Sequence, residues 1–308
     1  MATFFQRLFG NNKHASTEEN PFQDHADNND QLPKPQSNHY EPFQFIVGCA
    51  QSVGLQREHN EDALFTLTTN MVSDDSQLPF GLYIVADGMG GHQYGELASG
   101  LAVRAVSNMV IRKLFTPIYS AHPSSPKESI LEILNAAIQD AHQVVSREAP
   151  GGGTTMTAVL MISAQMTVAH VGDSRAYLLT PEGEFHPLTR DHSLVKRLVE
   201  LGQITIDEAA YHPQRNVLYR ALGQGEPVEA DINTSPLPYN SHLLICSDGL
   251  WGVVLGIKRK ANAEEELMRL IQDSSSPQQA CQRMVDAANA AGGPDNITAV
   301  LVHMPGED

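Results

Sequence analysis

The feature of this 308-residue sequence that most restricts its fold is a short apolar run ending in aspartate and glycine. One such run precedes Asp87-Gly88 and another precedes Asp248-Gly249. Apolar runs of this length, bounded by glycine and polar residues, are typical of buried strands. The construction recurs in looser form at Asp173, and two further aspartates, Asp62 and Asp295, each lie just before a strand-like run, at 63–67 and 297–303. Although Asp-Gly alone is a common turn pair, five carboxylates at strand ends indicate a shared site.

The order of the periodic segments predicts antiparallel sheets. Strand-like runs lie at 43–50, 82–86, 155–162, 166–171, 176–179, 242–246 and 297–303. Helical periodicity is found at 96–114, 129–147 and 278–291. Because two long helices follow one another between groups of strands, the order favours antiparallel sheets covered by helices over a parallel sheet with alternating helices.

The chain divides into an extension and one domain. Residues 11–42 are rich in Asn, Gln, Asp, Glu, His and Pro and nearly lack Val, Ile and Leu, so they bury too little surface to offset chain entropy. We therefore expect an N-terminal extension at 1–42, largely disordered, and one folded domain at 43–305. Within the domain, 191–221 contains short helical pieces at 194–201 and 206–210 joined by polar turns, which is the pattern of a flap over a site.

Charge and cysteine usage limit the classes of function. A formal net charge of −16 disfavours nucleic acid, whose binding depends on Lys and Arg displacing counterions. No apolar run approaches the roughly 20 residues that span a bilayer. The three cysteines are odd in number and widely spaced, as in a reducing compartment, so we expect a cytoplasmic protein without a transmembrane segment.

Scattered carboxylates favour Mg²⁺ or Mn²⁺, which take oxygen ligands, and the scarcity of Cys and of paired His disfavours zinc. Two such cations about 4 Å apart can share a water, lower its pKa and direct a hydroxide at a phosphate ester. Arg57 lies three residues before Asn60 in the segment leading to Asp62. Its guanidinium could bind phosphoryl oxygens, or it could form a surface ion pair with Glu58 or Glu61.

Two other phosphate chemistries are excluded by the sequence. The positions six residues after the three cysteines hold Leu55, Gly252 and Ala287, so a cysteine nucleophile with an arginine cradle is absent. The sequence also lacks a glycine-rich P-loop ending in Gly-Lys-Ser or Gly-Lys-Thr.

Taken in order, these segments resemble the metal-dependent protein phosphatases, the protein phosphatase 2C-like family, and specifically its bacterial serine/threonine members. The resemblance extends from about residue 43 to residue 303 and rests on seven stretches: 57–62, 87–92, 153–155, 172–177, 189–193, 247–250 and 295–298. It implies a four-layer α-β-β-α sandwich of two antiparallel sheets flanked by helices, with a flap over the cleft.

The resemblance also implies roles for single residues. Asp87 would bridge two cations, Mn²⁺ or Mg²⁺, with the Gly88 carbonyl on one of them. Asp248 and Asp295 would complete the other, and Asp62 would ligate directly or through water. Asp173 with Asp248 would hold a third, weaker cation, and Arg57 would bind the phosphate.

The activity implied is hydrolysis of phosphoserine and phosphothreonine on proteins by a metal-bridging hydroxide, without a covalent phospho-enzyme. The expected partners are phosphorylated proteins and a serine/threonine kinase acting on the same targets. The resemblance thus implies a role in signalling, and we expect the protein to be a monomer.

One departure concerns the general acid. Animal members carry a histidine directly after the Asp-Gly pair, where this chain has Met89. His92, three residues later, and a metal-bound water are the two candidates for protonating the leaving group.

Two competing hypotheses remain. A catalytically silent phosphoprotein-binding module would have lost at least one ligand, whereas all five aspartates and Arg57 are present. A phosphatase acting on small phosphorylated metabolites, or on an anti-sigma-factor antagonist, would share the site and differ in substrate.

Overall fold

The computed structural model describes residues 43–73, 76–91, 93–225, 227–257 and 263–306. The predicted extension at 1–42 and the candidate residue His92 lie outside the described residues. Two antiparallel sheets lie face to face, and helices pack on the outer surface of each. The predicted α+β sandwich is therefore confirmed.

The first sheet joins both ends of the described chain. Its strands are β1 (Ile46–Ser52), β7 (Arg175–Leu179), β8 (Phe185–Pro187), β10 (Ser241–Cys246) and β11 (Ile297–Met304). The strand order is β1-β11-β10-β7-β8, and every neighbouring pair is antiparallel. The pairing of β10 with β11 brings the segments around Asp248 and Asp295 to the same edge.

The second sheet is built around a long hairpin. Its strands are β2 (Asp62–Ser73), β3 (Ser76–Met89), β4 (Gly153–Thr154), β5 (Met156–Ile162), β6 (Gln165–Val171) and β9 (Asp231–Pro236). The order is β2-β3-β5-β6-β9, with β4 paired to the end of β3. In the β2–β3 register Asp62 lies opposite Asp87.

The helices form the two outer layers. They are α1 (Gln93–Val110), continued by a π-helical turn (Ile111–Phe115), α2 (Thr116–Tyr119), α3 (Ile130–Glu148), α4 (Leu194–Glu200), α5 (Ile206–Ala210), α6 (Asp248–Ile257), α7 (Ala263–Gln272) and α8 (Pro277–Ala290). The predicted start of the second long helix is explained by a capping box, in which Ser129 and Glu132 each accept from the other's backbone N–H. Each of these described helices is too short or too polar to cross a bilayer.

Strand β3 shows how the four layers are held together. Leu82 and Ile84 face α1 and α3, whereas Tyr83 and Val85 face the first sheet. All four side chains are fully buried, and each buried aliphatic side chain contributes about 1.5–3 kcal/mol. Because both faces of the strand are covered, the sequence is apolar without alternation. This rigid strand delivers Asp87 to the edge of the sandwich.

The segment 191–221, which we call the flap, is attached differently. Its helices α4 and α5 bury no side chain, and they match the helical pieces predicted there. Backbone hydrogen bonds hold the flap's two ends to each other: Leu194 N–H to Val217 O at 2.8 Å and Tyr219 N–H to His192 O at 2.9 Å. The two flap helices therefore add surface next to the sandwich without adding to its core.

Candidate active site

The five predicted aspartates converge at one edge of the sandwich. Asp62 and Asp87 come from the β2–β3 hairpin. Asp248 begins α6 directly after β10, and Asp295 lies two residues before β11. Asp173 lies in the loop between β6 and β7. Electrostatic interactions connect Asp87 to all four of the others.

Asp62 is the best-defined member of this group. Its Oδ2 accepts hydrogen bonds from Ser247 Oγ at 2.8 Å and Thr298 Oγ1 at 2.6 Å. Its Oδ1 is buried and, among the described residues, has no hydrogen-bond partner, and the same is true of Asp248 Oδ1. A buried carboxylate oxygen without a donor is costly, so both oxygens fit a cation.

The pKa values of these carboxyls reflect the crowding of like charges. Burial, followed by the neighbouring carboxylates, raises the pKa of Asp87 well above its ordinary value. Burial raises the pKa of Asp62 to about 7, although the hydrogen bonds from Thr298 and Ser247 lower it. Burial also raises the pKa of Asp248, to about 6. Either protons or cations must neutralise such a group near neutral pH.

The donor set suits Mg²⁺ or Mn²⁺, since it consists of carboxylate and backbone oxygens. Within the described ranges, no three His, Cys, Asp or Glu side chains stand close enough to hold a metal ion among themselves. Such cations commonly keep several water ligands, so water and backbone oxygens would have to complete their shells. Gly88 lies beside Asp87 where only glycine fits, because an added Cβ would be 2.2 Å from Gly95 O.

Arg57 lies at the rim of the carboxylate group. Its Nη2 is 2.7 Å from Asp295 Oδ2, and the two side chains are 47% and 30% exposed. The ion pair is thus with a predicted metal ligand, and not with Glu58 or Glu61. A half-exposed guanidinium beside the carboxylates can turn towards an incoming anion.

Asp173 is held by residues that sequence reasoning missed. Trp251 Nε1 donates to Asp173 O at 2.9 Å, and the Arg175 guanidinium lies 3.5 Å from the centre of the Trp251 ring. Arg175 also forms a two-point ion pair with Asp191, at 2.8 and 2.7 Å. These contacts tie the Asp173 loop to α6 on one side and to the flap on the other.

A second missed residue is Asn296, next to Asp295. Its Oδ1 accepts from Glu61 N–H at 2.8 Å, and its Nδ2 donates to Val53 O and His59 O at 2.9 Å each. This side chain fixes the segment carrying Arg57 against the start of β11. The sequence signal that could have identified Asn296 is its position directly after the candidate ligand Asp295.

Comparison with known proteins agrees with this architecture. The family model described as "Protein phosphatase 2C" matches residues 56–297. The serine/threonine phosphatase stp of Listeria innocua is 35% identical over 255 residues, covering 81% of this chain and 92% of that protein. Protein phosphatase PhpP of Streptococcus pneumoniae is 36% identical over 263 residues, covering 85% and 98%.

Solved structures show the same similarity. The Mycobacterium tuberculosis serine/threonine phosphatase PstP/Ppp superposes with a TM-score of 0.68 at 30% identity, covering 85% of this chain and all of that one. The catalytic domain of PstP in complex with two manganese ions gives a TM-score of 0.67 at 28% identity, with 86% and 100% coverage. This chain therefore belongs to the protein phosphatase 2C family and is of the bacterial serine/threonine phosphatase type.

Proposed function

We propose that this chain hydrolyses phosphoserine and phosphothreonine on proteins with two divalent cations, Mn²⁺ or Mg²⁺, and without a covalent phospho-enzyme. The observation that carries the proposal is the convergence of five aspartates from both sheets, with buried, unpartnered oxygens on Asp62 and Asp248. In this proposal the ligands are Asp62, Asp87, the Gly88 carbonyl, Asp248 and Asp295, and Asp173 with Asp248 provides a third, weaker site.

Cations bound at these positions would supply an acidified water and neutralise charge on the phosphoryl oxygens. The chain's own residues orient the reaction. Ser247 and Thr298 fix the direction of the Asp62 carboxylate. Arg57 exchanges its exposed contact with Asp295 for the phosphoryl oxygens, for which its planar fork is suited.

Two of the three cysteines are poor candidates for forming a covalent intermediate. Burial raises the pKa of Cys246 and of Cys281 to about 12, so both remain thiols at neutral pH, and the thiolate is the nucleophilic form. For protonation of the leaving group, His92 or a water remains our proposal.

The proposed setting is dephosphorylation, by a cytoplasmic monomer, of the targets of a serine/threonine kinase. The similarity to the serine/threonine phosphatase stp of Listeria innocua and to the protein phosphatase PhpP of Streptococcus pneumoniae supports the protein substrate in this setting.

The test is phosphate release from p-nitrophenyl phosphate and from a phosphothreonine peptide with Mn²⁺. We expect Asp87→Ala and Asp248→Ala to lower kcat/KM about a hundred- to a thousandfold, the scale of a lost electrostatic catalytic group. Asp286→Ala, an exposed aspartate on α8, is the matched control and should behave as the unsubstituted protein. The proposal fails if Mn²⁺-dependent release is absent or is equal in the three variants.

A further inference from the structure

The flap differs from the rest of the chain in its charge. Residues 191–221 contain four of the 20 Lys and Arg residues and four of the 36 Asp and Glu residues, so this segment has no net charge and the remainder is net −16. An anionic protein approaching the chain is repelled least at this segment. The flap is therefore the favourable place for an acidic partner to bind.

A cavity of about 460 Å³ lies on this segment, outside the aspartate group. We call it the arginine pocket, because Arg190, Arg197 and Arg220 line it together with His192, Tyr219 and Asp231. The Tyr219 side chain is 46% exposed and offers an aromatic surface beside the guanidinium groups. Three arginines around one cavity are the arrangement that recognises carboxylate or phosphoryl groups.

The arginines of the pocket are in different electrostatic states. Arg220 is held by Asp231 at 3.0 Å and Glu229 at 3.1 Å, and Arg190 is paired with Glu200. Among the described residues, Arg197 has no ion-pair partner within 4 Å, although its charge helps to lower the pKa of Glu200. Two guanidinium groups are thus fixed in place, and the third has a charge available for a ligand.

The pocket is directly connected to the candidate active site. His192, in its wall, donates its backbone N–H to Gly172 O at 2.7 Å, and its Nδ1 accepts from Gly172 N–H at 3.1 Å. Gly172 precedes Asp173. A wall residue of the pocket is therefore hydrogen-bonded to the neighbour of a candidate metal ligand, and one extended substrate chain, advancing about 3.3–3.6 Å per residue, can run from the pocket towards the aspartates.

We propose that the arginine pocket is a docking site for an acidic segment of the phosphoprotein substrate, bound through Asp or Glu side chains near the phosphorylated residue. The inference rests on the proposed function and adds a substrate class to it. It predicts a preference for phosphorylation sites flanked by acidic residues.

The test compares two phosphothreonine peptides that differ only in having Asp and Glu, or Asn and Gln, around the phosphothreonine. We expect kcat/KM to favour the acidic peptide about three- to tenfold, the size of one or two partly exposed charge contacts. Arg197→Glu should abolish this preference through KM. Lys196→Glu is the matched control, since it makes the same charge change on the neighbouring residue, which does not line the pocket; it should retain most of the preference.

Two further measurements separate this inference from the proposed function. Turnover of p-nitrophenyl phosphate should be equal in the unsubstituted protein and in both variants, and its absence would contradict the proposed function alone. Binding of a fluorescent acidic peptide without phosphate, followed by anisotropy, should weaken with Arg197→Glu and with added salt. The inference is wrong if the acidic peptide has no advantage, or if Lys196→Glu and Arg197→Glu lower its binding equally.

Discussion

At the scale of single residues, Asp62 is the candidate ligand whose surroundings are best defined. One oxygen is fixed by two hydroxyl groups from β11 and from the end of β10, and the other is buried without a donor. Hydrogen bonds to one oxygen orient the carboxylate and leave the second for another ligand. Ser247 and Thr298 therefore act through Asp62.

Replacing Thr298 by valine removes one of these hydroxyl groups while keeping the shape of the side chain. We expect the Mn²⁺ concentration for half-maximal binding to rise about tenfold, as for other residues that orient a ligand, measured by calorimetry. Thr167→Val is the control, because Thr167 pairs with Thr234 between β6 and β9. Equal Mn²⁺ affinity in the two variants would contradict this role of Thr298.

His170 gives a pH-dependent prediction. It is 1% exposed and lies between Thr157 and the Arg190 carbonyl, and burial lowers its pKa from 6.5 to about 4. Between these values the unfolded chain binds a proton that the folded chain does not, so stability is lost as pH falls through this range.

We expect His170 to lower the free energy of unfolding by about 2–3 kcal/mol between pH 7.5 and pH 4, measured with urea in the presence of a chelator. The contribution of His170 is obtained by comparing how the free energy of unfolding depends on pH in the unsubstituted protein and in His170→Asn. This comparison is needed because the aspartates, whose pKa values are raised, stabilise the folded chain as pH falls. If His170→Asn leaves the dependence of the unfolding free energy on pH unchanged, His170 is not the source.

At the scale of elements, the candidate site is assembled from the ends of strands and one helix start. Asp248 lies in the first turn of α6, where the helix dipole favours negative charge. Trp251, one turn later, reaches across to the Asp173 carbonyl. Helix α6 thus positions two candidate ligands, one directly and one through its indole.

Trp251 is the only tryptophan of the chain, so its fluorescence reports on the Asp173 loop. We expect Mn²⁺, which is paramagnetic, to quench this fluorescence, and Mg²⁺ to quench it far less. Asp173→Asn should move the quenching to a higher Mn²⁺ concentration by removing the weaker site. Unchanged quenching in this variant would show that Asp173 does not bind the reporting ion.

The elements differ in how well the sequence predicts them. Strands β10 and β11 are buried on both faces, so their apolar runs predict them well. Strand β9 was not predicted, because this edge strand is largely exposed and its sequence lacks an apolar pattern. Helix α7 was also missed, although Leu267, Leu270 and Ile271 are buried at helical spacing.

At the scale of the whole molecule, the face-to-face sheets bring together residues that are far apart in sequence. Arg57 and Asp295 are 238 positions apart, and Trp251 and Asp173 are 78 apart. The aspartates could be predicted, because each stands next to a strong strand signal. Their partners could not, since long-range pairing depends on tertiary packing and leaves no local pattern.

The central claim is that these distant aspartates together bind divalent cations. Calorimetric titration of the metal-free protein with Mn²⁺ tests it most directly. We expect about two tightly bound ions per chain, in keeping with two-metal sites of this class of chemistry, and loss of at least one of them in Asp87→Asn and in Asp248→Asn. The exposed Asp286→Asn is the control and should bind Mn²⁺ as the unsubstituted protein does. The claim is contradicted if the protein binds no Mn²⁺, or if both site variants bind as much Mn²⁺ as this control.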